Sequence, residues 1–260
     1  MPDSLFVEER RRVILEQLKD RGRVSVKDLS SLMKVSAVTI RQDLRALEEV
    51  GMLERTYGGA VRRESTSVLP EMSFHVRLGK RRREKEAIAA AAVGLIREGD
   101  TVALDASSTA YALVPHLKTF RRITVITNSL VTAQSFLDSP HVNVLVPGGR
   151  LRRDSISIVG RPEGLPEVNL NIGFFSARGV SLLGGISDVD ADEVAIKQAM
   201  VARCVATVVI VDGSKWGQVA PYTFIKPEHI GHIITSDDAP PDVIEQFRAQ
   251  GVRVDVVHVP

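Results

Sequence analysis

The sequence predicts an α/β protein in two parts: an N-terminal group of short helices closed by a hairpin, then an open, mostly parallel α/β sheet. Three observations predict it. Residues 7–47 carry apolar positions at helical spacing and lead into a double glycine, Gly58–Gly59. After Asp100, six near-continuous apolar runs ("TVALD", "ITVIT", "VNVLV", "IGFF", "ATVVIV", "HIITS") alternate with helical patterns, as strands buried on both faces do. Charge divides the same way: up to Glu86 there are 19 Lys+Arg against 14 Asp+Glu, net +5, and beyond it 15 against 18, net −3.

A chain of 260 residues, 44% hydrophobic and 25% charged, is expected to fold into two domains rather than one, and its composition is not that of a disordered protein. The single cysteine, Cys204, excludes an internal disulfide and any multi-cysteine metal site. "MPDSLFVEERRR" has too short an apolar stretch for a signal peptide, and "AIAAAAVGLI" is half the length of a membrane span. The expectation is a cytoplasmic protein with no membrane partner. The basic front third points any polyanionic partner to the N-terminus.

The first helix is predicted from Val7 to Arg21, with Val13, Ile14 and Leu18 on one face and Gly22 as C-cap. The second opens at the cap Ser25 and brings Val26, Leu29, Leu32 and Met33 to one side, after only a very short joint. The third opens at Ser36 and buries Ile40, Leu44 and Leu47. At about 100° per residue, Val38, Gln42 and Arg45 lie opposite that stripe, with Thr39 and Arg41 on its flanks. "MLERTYGGAV" then reads as two strands, Met52 to Tyr57 and Ala60 onward, joined at Gly58–Gly59, where positive φ costs little.

A slim, polar, cationic helix suits the major groove, and a hairpin beside it suits phosphate or minor-groove contact. The candidate DNA-contacting residues are Ser25, Ser36, Val38, Thr39, Arg41, Gln42, Arg45, Arg55, Tyr57, Gly58, Gly59 and Arg62. By pattern alone the same helices also describe an interaction module with a solvated charged face. The run "RRVILEQLKDRGRVSVKDLSSLMKVSAVTIRQDLRALEEVGMLERTYGGA" resembles the winged helix-turn-helix of the DeoR family of bacterial transcriptional regulators from Arg11 to Ala60. Gln42 departs from it, standing where a basic residue is usual. The resemblance continues through Arg77 and "EKEAIA", whereas the basic run Lys80–Arg83 is no family feature and reads as a solvated helix start or a second DNA contact. The domains are expected at residues 1–62 (winged helix-turn-helix), 63–85 (linker and start of a connecting helix) and 86–260 (α/β effector domain).

Ligands of open α/β sheets bind beyond the carboxyl ends of the strands. After "TVAL" come Asp105 and the hydroxyls Ser107, Ser108 and Thr109 at a helix start, a phosphate cradle in type. After "ITVIT" come Asn128-Ser129, after "VNVLV" comes "PGGRLRRD" with Gly148, Gly149 and arginines 150, 152 and 153, and after "ATVVIV" comes "DGSKWG". Each alone is equally a helix cap or a turn. This region is similar to the DeoR effector domain, itself Rossmann-like and ribose-phosphate-isomerase-like, which implies a phosphorylated sugar or related metabolite as effector. By position the resemblance implies Asp105, Ser107, Ser108 and Thr109 as the phosphate loop, with Asn128, Gly148, Gly149, Arg152, Glu193, Lys197, Asp212 and Lys215 around the ligand. "FFSARG" and Asn171 depart from the family pattern.

An isomerase carrying a DNA-binding appendage is the enzymatic alternative, but the Asp-Gly-Ala-Asp stretch and Lys-Gly-rich loop of those isomerases are missing, as are G-x-S-x-G, P-loop and G-x-G-x-x-G motifs. No catalytic residue, cofactor or metal is expected; Cys204 reads as structural, and His229 and His232 of "HIGH" lack a third ligand in view. A DNA-binding protein with an empty α/β domain is the remaining alternative. The leading expectation is a repressor of a carbohydrate-metabolism operon: a homodimer or homotetramer on double-stranded operator DNA with half-sites ~34 Å apart or a multiple, released by its effector.

Overall fold

The computed structural model describes residues 7–49, 53–61, 72–160 and 162–260. The chain divides into two compact units, Met1–Val76 and Arg77–Pro260.

The first unit contains α1 (Val7–Arg21), β1 (Arg23–Ser25), α2 (Val26–Met33), α3 (Ala37–Glu49), β2 (Glu54–Thr56) and β3 (Gly59–Val61). The helix ends follow local chemistry. Gly22 takes φ +70° and its N–H donates to the Leu18 carbonyl at 2.9 Å, closing α1. The Ser25 hydroxyl accepts from Asp28 N at 3.0 Å and that of Ser36 from Thr39 N at 3.1 Å, so both predicted caps act on the first turns of α2 and α3. Ile14, Leu18, Leu29, Ile40, Leu44, Leu47, Leu53 and Ala60 form one core. Leu32, expected inside, is 57% exposed. The joint between α1 and α2 is a strand rather than a bare turn: β1 pairs antiparallel with β3, giving the sheet order β1-β3-β2. This third strand explains the double glycine differently from the expectation. Gly58 alone takes positive φ, +85°, whereas a Cβ on Gly59 would run into the Val24 carbonyl of β1. Arg62 and Met52 lie outside the described residues, as do residues 63–71 of the expected linker.

Farther along the chain lie α4 (Phe74–Gly79), α5 (Arg82–Val93), β4 (Thr101–Leu104), α6 (Ser108–Tyr111), α7 (Val114–Leu117), β5 (Ile123–Thr127), α8 (Leu130–Ser135), β6 (Val142–Leu145), β7 (Arg150–Arg152), β8 (Ser157–Val159) and β9 (Leu170–Phe175). There follow β10 (Gly179–Ser181), β11 (Gly185–Asp188), α9 (Ala191–Val201), β12 (Cys204–Val211), β13 (Tyr222–Ile225), β14 (His232–Ser236), α10 (Pro241–Ala249) and β15 (Arg253–Val257). The expected helix through Lys80–Arg83 is interrupted, because Arg81 takes a left-handed backbone at φ +51° and α5 begins only at Arg82.

Seven strands form a sheet in the order β15-β14-β12-β9-β4-β5-β6, every neighbouring pair parallel. The chain steps outward from β4 to β6, returns to β9, and steps outward the other way, so the order reverses between β4 and β9. Successive residues of β4 face opposite layers: Val102 and Leu104 pack with Ile88, Ala89 and Leu113 of the α5–α7 side, and Ala103 with Ile196 and Phe247 of the α9–α10 side. The six predicted runs all lie in this sheet. The antiparallel pair β7–β8 and the antiparallel sheet β10-β11-β13 account for the remaining strands. Among the described residues no helix is long and apolar enough to cross a membrane.

Candidate functional site

On α3 the helical period keeps Val38, Arg41, Gln42 and Arg45 exposed, with Thr39 half-buried beside them. The Thr39 hydroxyl lies 2.9 Å from that of Ser36, so these two are a capping pair at the start of α3. Tyr57 stands fully exposed at the hairpin tip. Arg55 is exposed too, but it is tied to α3: its backbone N donates to Glu48 Oε1 at 3.0 Å, and its guanidinium lies 3.6 Å from Glu48 Oε2. The carboxylate of Glu48 therefore fixes the hairpin to the end of the helix.

In the second unit Asp105, Ser107, Thr109 and Lys197 converge at the β4/β9 switch point, the place where open parallel sheets form a crevice beyond their strand ends. Asp105 follows β4 and is fully buried. Its carboxylate accepts from Ser107 N at 3.2 Å and from Ser176 N, after β9, at 2.9 Å, and it meets Lys197 Nζ at 2.9 Å. One side chain thus bridges the two strands where the order reverses. Ser107 caps α6 by accepting from Ala110 N at 3.0 Å, and Thr109 faces the Ser176 hydroxyl at 3.4 Å. Lys197, on α9, also donates to Asp188 at 2.7 Å and to the Ser176 carbonyl at 2.8 Å, and lies 4.9 Å over the Phe224 ring. Burial opposes its charge, but Asp105, Asp188 and Glu193 outweigh it and hold the ammonium above the ordinary lysine range. Asp188 shows the converse: burial pushes its carboxyl up, and Lys197 overcomes this and holds it low.

Asp212, after β12, is buried and accepts from Ser214 N at 3.0 Å. Cations gather around it. Arg81 Nε lies 3.5 Å away and also pairs with Asp238. Burial lowers the Lys215 ammonium, Asp212 pulls it back, and the Arg178 and Arg77 charges push it down again. Lys85, from the first turn of α5, is brought to about 8 by burial, against Asp212 and with Lys215 and Arg77 acting to lower it. Its Nζ donates to the Arg77 and Lys80 carbonyls. Arg77, Lys85, Arg178 and Lys215 therefore share one electrostatic neighbourhood. Burial is the main reason that Lys85 and Lys215 are lowered, and the neighbouring cations add to it while Asp212 opposes it.

Other expected ligand residues are engaged within the protein. Arg152 is not an open anion contact: it lies 3.1 Å from Asp190 and 3.3 Å from Glu193, with 12% of its side chain exposed. Glu193 also accepts from Ser157 at 2.8 Å, so this pair ties the β7–β8 hairpin to α9. Gly149 makes its close approach to the hairpin partner Val159, where a Cβ would clash, and the Gly148 N–H donates to the Gly164 carbonyl at 3.2 Å. Asn128 donates to the Ile158 carbonyl at 3.2 Å while its buried Oδ1 has no hydrogen-bond partner, leaving an acceptor at the end of β5. Sequence reasoning missed Lys85, Arg178, Asp188 and Ser176 as members of the site. Only "EKEAIA" and "FFSARG", noted for other reasons, marked three of them.

A helix-turn-helix with a hairpin beside it and a parallel α/β sheet whose strand order reverses over a cluster of buried polar and charged side chains define a class, the two-domain DNA-binding regulator. Residues 10–66 match the DeoR-like helix-turn-helix domain and residues 80–237 the DeoR C terminal sensor domain. The chain is 33% identical to the HTH-type transcriptional regulator GolR of Listeria innocua over 97% of this chain and 99% of that one. It is 30% identical to the HTH-type transcriptional regulator UlaR of Escherichia coli O1:K1 over 95% and 97%. A solved structure of ribose 5-phosphate isomerase A from Methanocaldococcus jannaschii is similar over 51% of this chain and 53% of that chain, at 18% identity and TM-score 0.37. The chain belongs to the DeoR family of DNA-binding transcriptional regulators.

Proposed function

We propose that this regulator is a repressor of a carbohydrate-metabolism operon whose hold on double-stranded operator DNA is released by a phosphorylated sugar or related metabolite. The observation that carries the reading is the gathering of Lys85 and Lys215, with Arg77 and Arg178, about Asp212 in a unit whose switch point also holds the buried Ser107–Thr109 turn. Four cationic side chains grouped around one carboxylate suit an anion, and neighbouring hydroxyl and amide groups suit a polyhydroxyl body.

The role is binding rather than catalysis. Enediol chemistry needs a carboxylate able to take a proton, and the Asp105 carboxylate is occupied by two backbone N–H groups and Lys197. The α3 face of Gln42 and Arg45 reads base edges with Arg41 on its flank, and Arg55 and Tyr57 sit with the backbone-contacting hairpin. A homodimer or homotetramer in the cytoplasm, presenting two such helices to paired half-sites, completes the scheme. The effector acts only to the extent that it prefers one arrangement of the chain over the other.

The test is a thermal-shift panel of sugar phosphates followed by operator binding with each hit, since a ligand of the folded state raises apparent stability. A hit that weakens operator binding is expected. A flat panel with operator binding intact would overturn the sugar-phosphate reading in favour of an empty or differently liganded domain.

A further inference from the structure

The helix α3 carries a buried carboxylate that neither reads DNA nor caps a helix. Asp43 is 2% exposed. Its Oδ2 accepts from Arg10 Nε at 2.8 Å and its Oδ1 from Arg11 Nε at 3.2 Å, so two consecutive arginines of α1 converge on it. The two differ in setting: the Arg10 side chain is 10% exposed and that of Arg11 38%. Arg10 lies inside the bundle, and Arg11 at its surface.

The helical period locates that surface. Asp43 follows Thr39 by four residues, about 40° further round the helix, so it sits between the buried stripe of Ile40, Leu44 and Leu47 and the edge that bears Thr39. Arg41 lies on the opposite edge. A helix about 10–12 Å across fills a major groove about 12 Å wide, which leaves each of its edges against a row of phosphates. Arg41 meets one row. On the Thr39 edge α3 itself has no cation, and Asp43 holds beside that edge the part-exposed Arg11 of α1. An arginine already oriented by an ion pair loses little freedom on meeting a phosphate.

We propose that Arg11 is a phosphate-contacting residue at the Thr39 edge of α3 and that Asp43 is its positioning residue, so that α1 takes part in operator binding. The inference rests on the reading of α3 as the groove-entering helix. Arg11 carries no sequence information; it supplies one electrostatic contact and fixes the rotation of α3 in the groove.

The experiment measures the affinity of the full chain for two duplexes across a salt series: one selected from a random library by the wild-type protein, and one unrelated of equal length. Arg11→Ala should lower the slope of log K against log salt by about 0.9 on both, shrinking the wild-type advantage about 3.5-fold between 50 and 200 mM salt. Asp43→Asn should lose the same slope, and adding it to Arg11→Ala should lower the slope no further. A purely structural role would reduce the folded fraction and leave the slope of the folded protein unchanged. If Asp43→Asn does not fold, Asp43→Glu, which shifts the charge by one methylene, carries the same expectation. A wild-type slope in Arg11→Ala, or in a folded Asp43 variant, overturns the proposal. Arg45→Ala, measured alongside, separates the two readings: loss of base preference there with an unchanged Arg11→Ala slope sinks only the Arg11 assignment, whereas no effect in either sinks α3 as the groove-entering helix.

Discussion

Asp105 and Lys197 form an ion pair at 2.9 Å inside the second unit, their side chains 0% and 5% exposed. The pair joins the turn after β4 to α9, and through Asp188 it reaches the end of β11 as well. One lysine therefore ties together three segments that meet at the switch point.

Lys197→Met should destabilise the protein by about 3–5 kcal/mol, the usual consequence of leaving a buried charge without its partner. The sign with pH follows from Asp188. Its folded value is held below the ordinary 3.8, so its stabilising contribution is present above that value and lost as pH falls through the folded one. In Lys197→Met only the Val189 N–H and the Arg178 charge still oppose burial, so the carboxyl rises from its wild-type value and that variant recovers stability as it takes up a proton. Urea midpoints at pH 7 and pH 4 should show the gap between the two proteins narrowing in acid; a constant gap would refute the coupling.

Lys85 gives a second pH dependence, in the alkaline range. Its folded value of about 8 lies below the 10.5 of a free lysine, so between those limits the unfolded chain holds more protons and stability rises with pH. Anion binding runs the other way because it needs the charged form. Affinity for sulfate, whose own charge is constant over this range, should fall as pH rises through about 8, by up to tenfold per unit. Lys85→Met should flatten the dependence, leaving only the part due to Lys215. Calorimetric titrations from pH 7 to 9.5 would decide it.

The two hairpin glycines should fail for different reasons. Gly58→Ala must place a side chain at φ +85° with open space around it, costing about 1–2 kcal/mol. Gly59→Ala forces β3 away from the Val24 carbonyl and so disrupts the pairing with β1, and should cost more and weaken DNA binding more. Equal thermal and DNA-binding losses in the two variants would mean that β1 does not constrain the hairpin.

Arg81 combines backbone strain with ion pairing. Arg81→Gly relieves the left-handed φ, about 1–2 kcal/mol, while losing half-exposed pairs with Glu84, Asp212 and Asp238 worth about 0–1 kcal/mol each. It should be nearly neutral, and Arg81→Ala less stable than Arg81→Gly by about 1–2 kcal/mol. Identical unfolding midpoints for the two would show that the strain is not borne in solution.

What could be read from the sequence was local. Ser25 and Ser36 cap helices because a hydroxyl before an apolar period has one common use, and the six apolar runs are strands because burial on both faces leaves no polar alternation. β15 escaped because "RVDVV" alternates charge with valine at the edge of the sheet, and β1 because three residues carry no period. The helical stripe overestimated Leu32, which the turn of α2 carries to the surface. In the ligand site, Asp105 and Lys215 stood out by following strands, but nothing local distinguishes Lys85 on α5 or Asp188 on β11. Their partners are fixed by strand order, which the chain does not announce. The ion pairs of Arg152 were hidden for the same reason: its carboxylate partners come from the start of α9, about forty residues later.

The reversal of strand order between β4 and β9 also has a bearing on synthesis. The nascent chain lays down β4, β5 and β6 in turn, and β4 keeps one edge uncovered until β9 emerges beyond residue 170. Ser176, Asp188, Lys197, Asp212 and Lys215 arrive later still. The hairpin of the first unit is complete at Val61. On the ribosome the chain completes its DNA-binding domain early, and its sensor domain only near the end of translation.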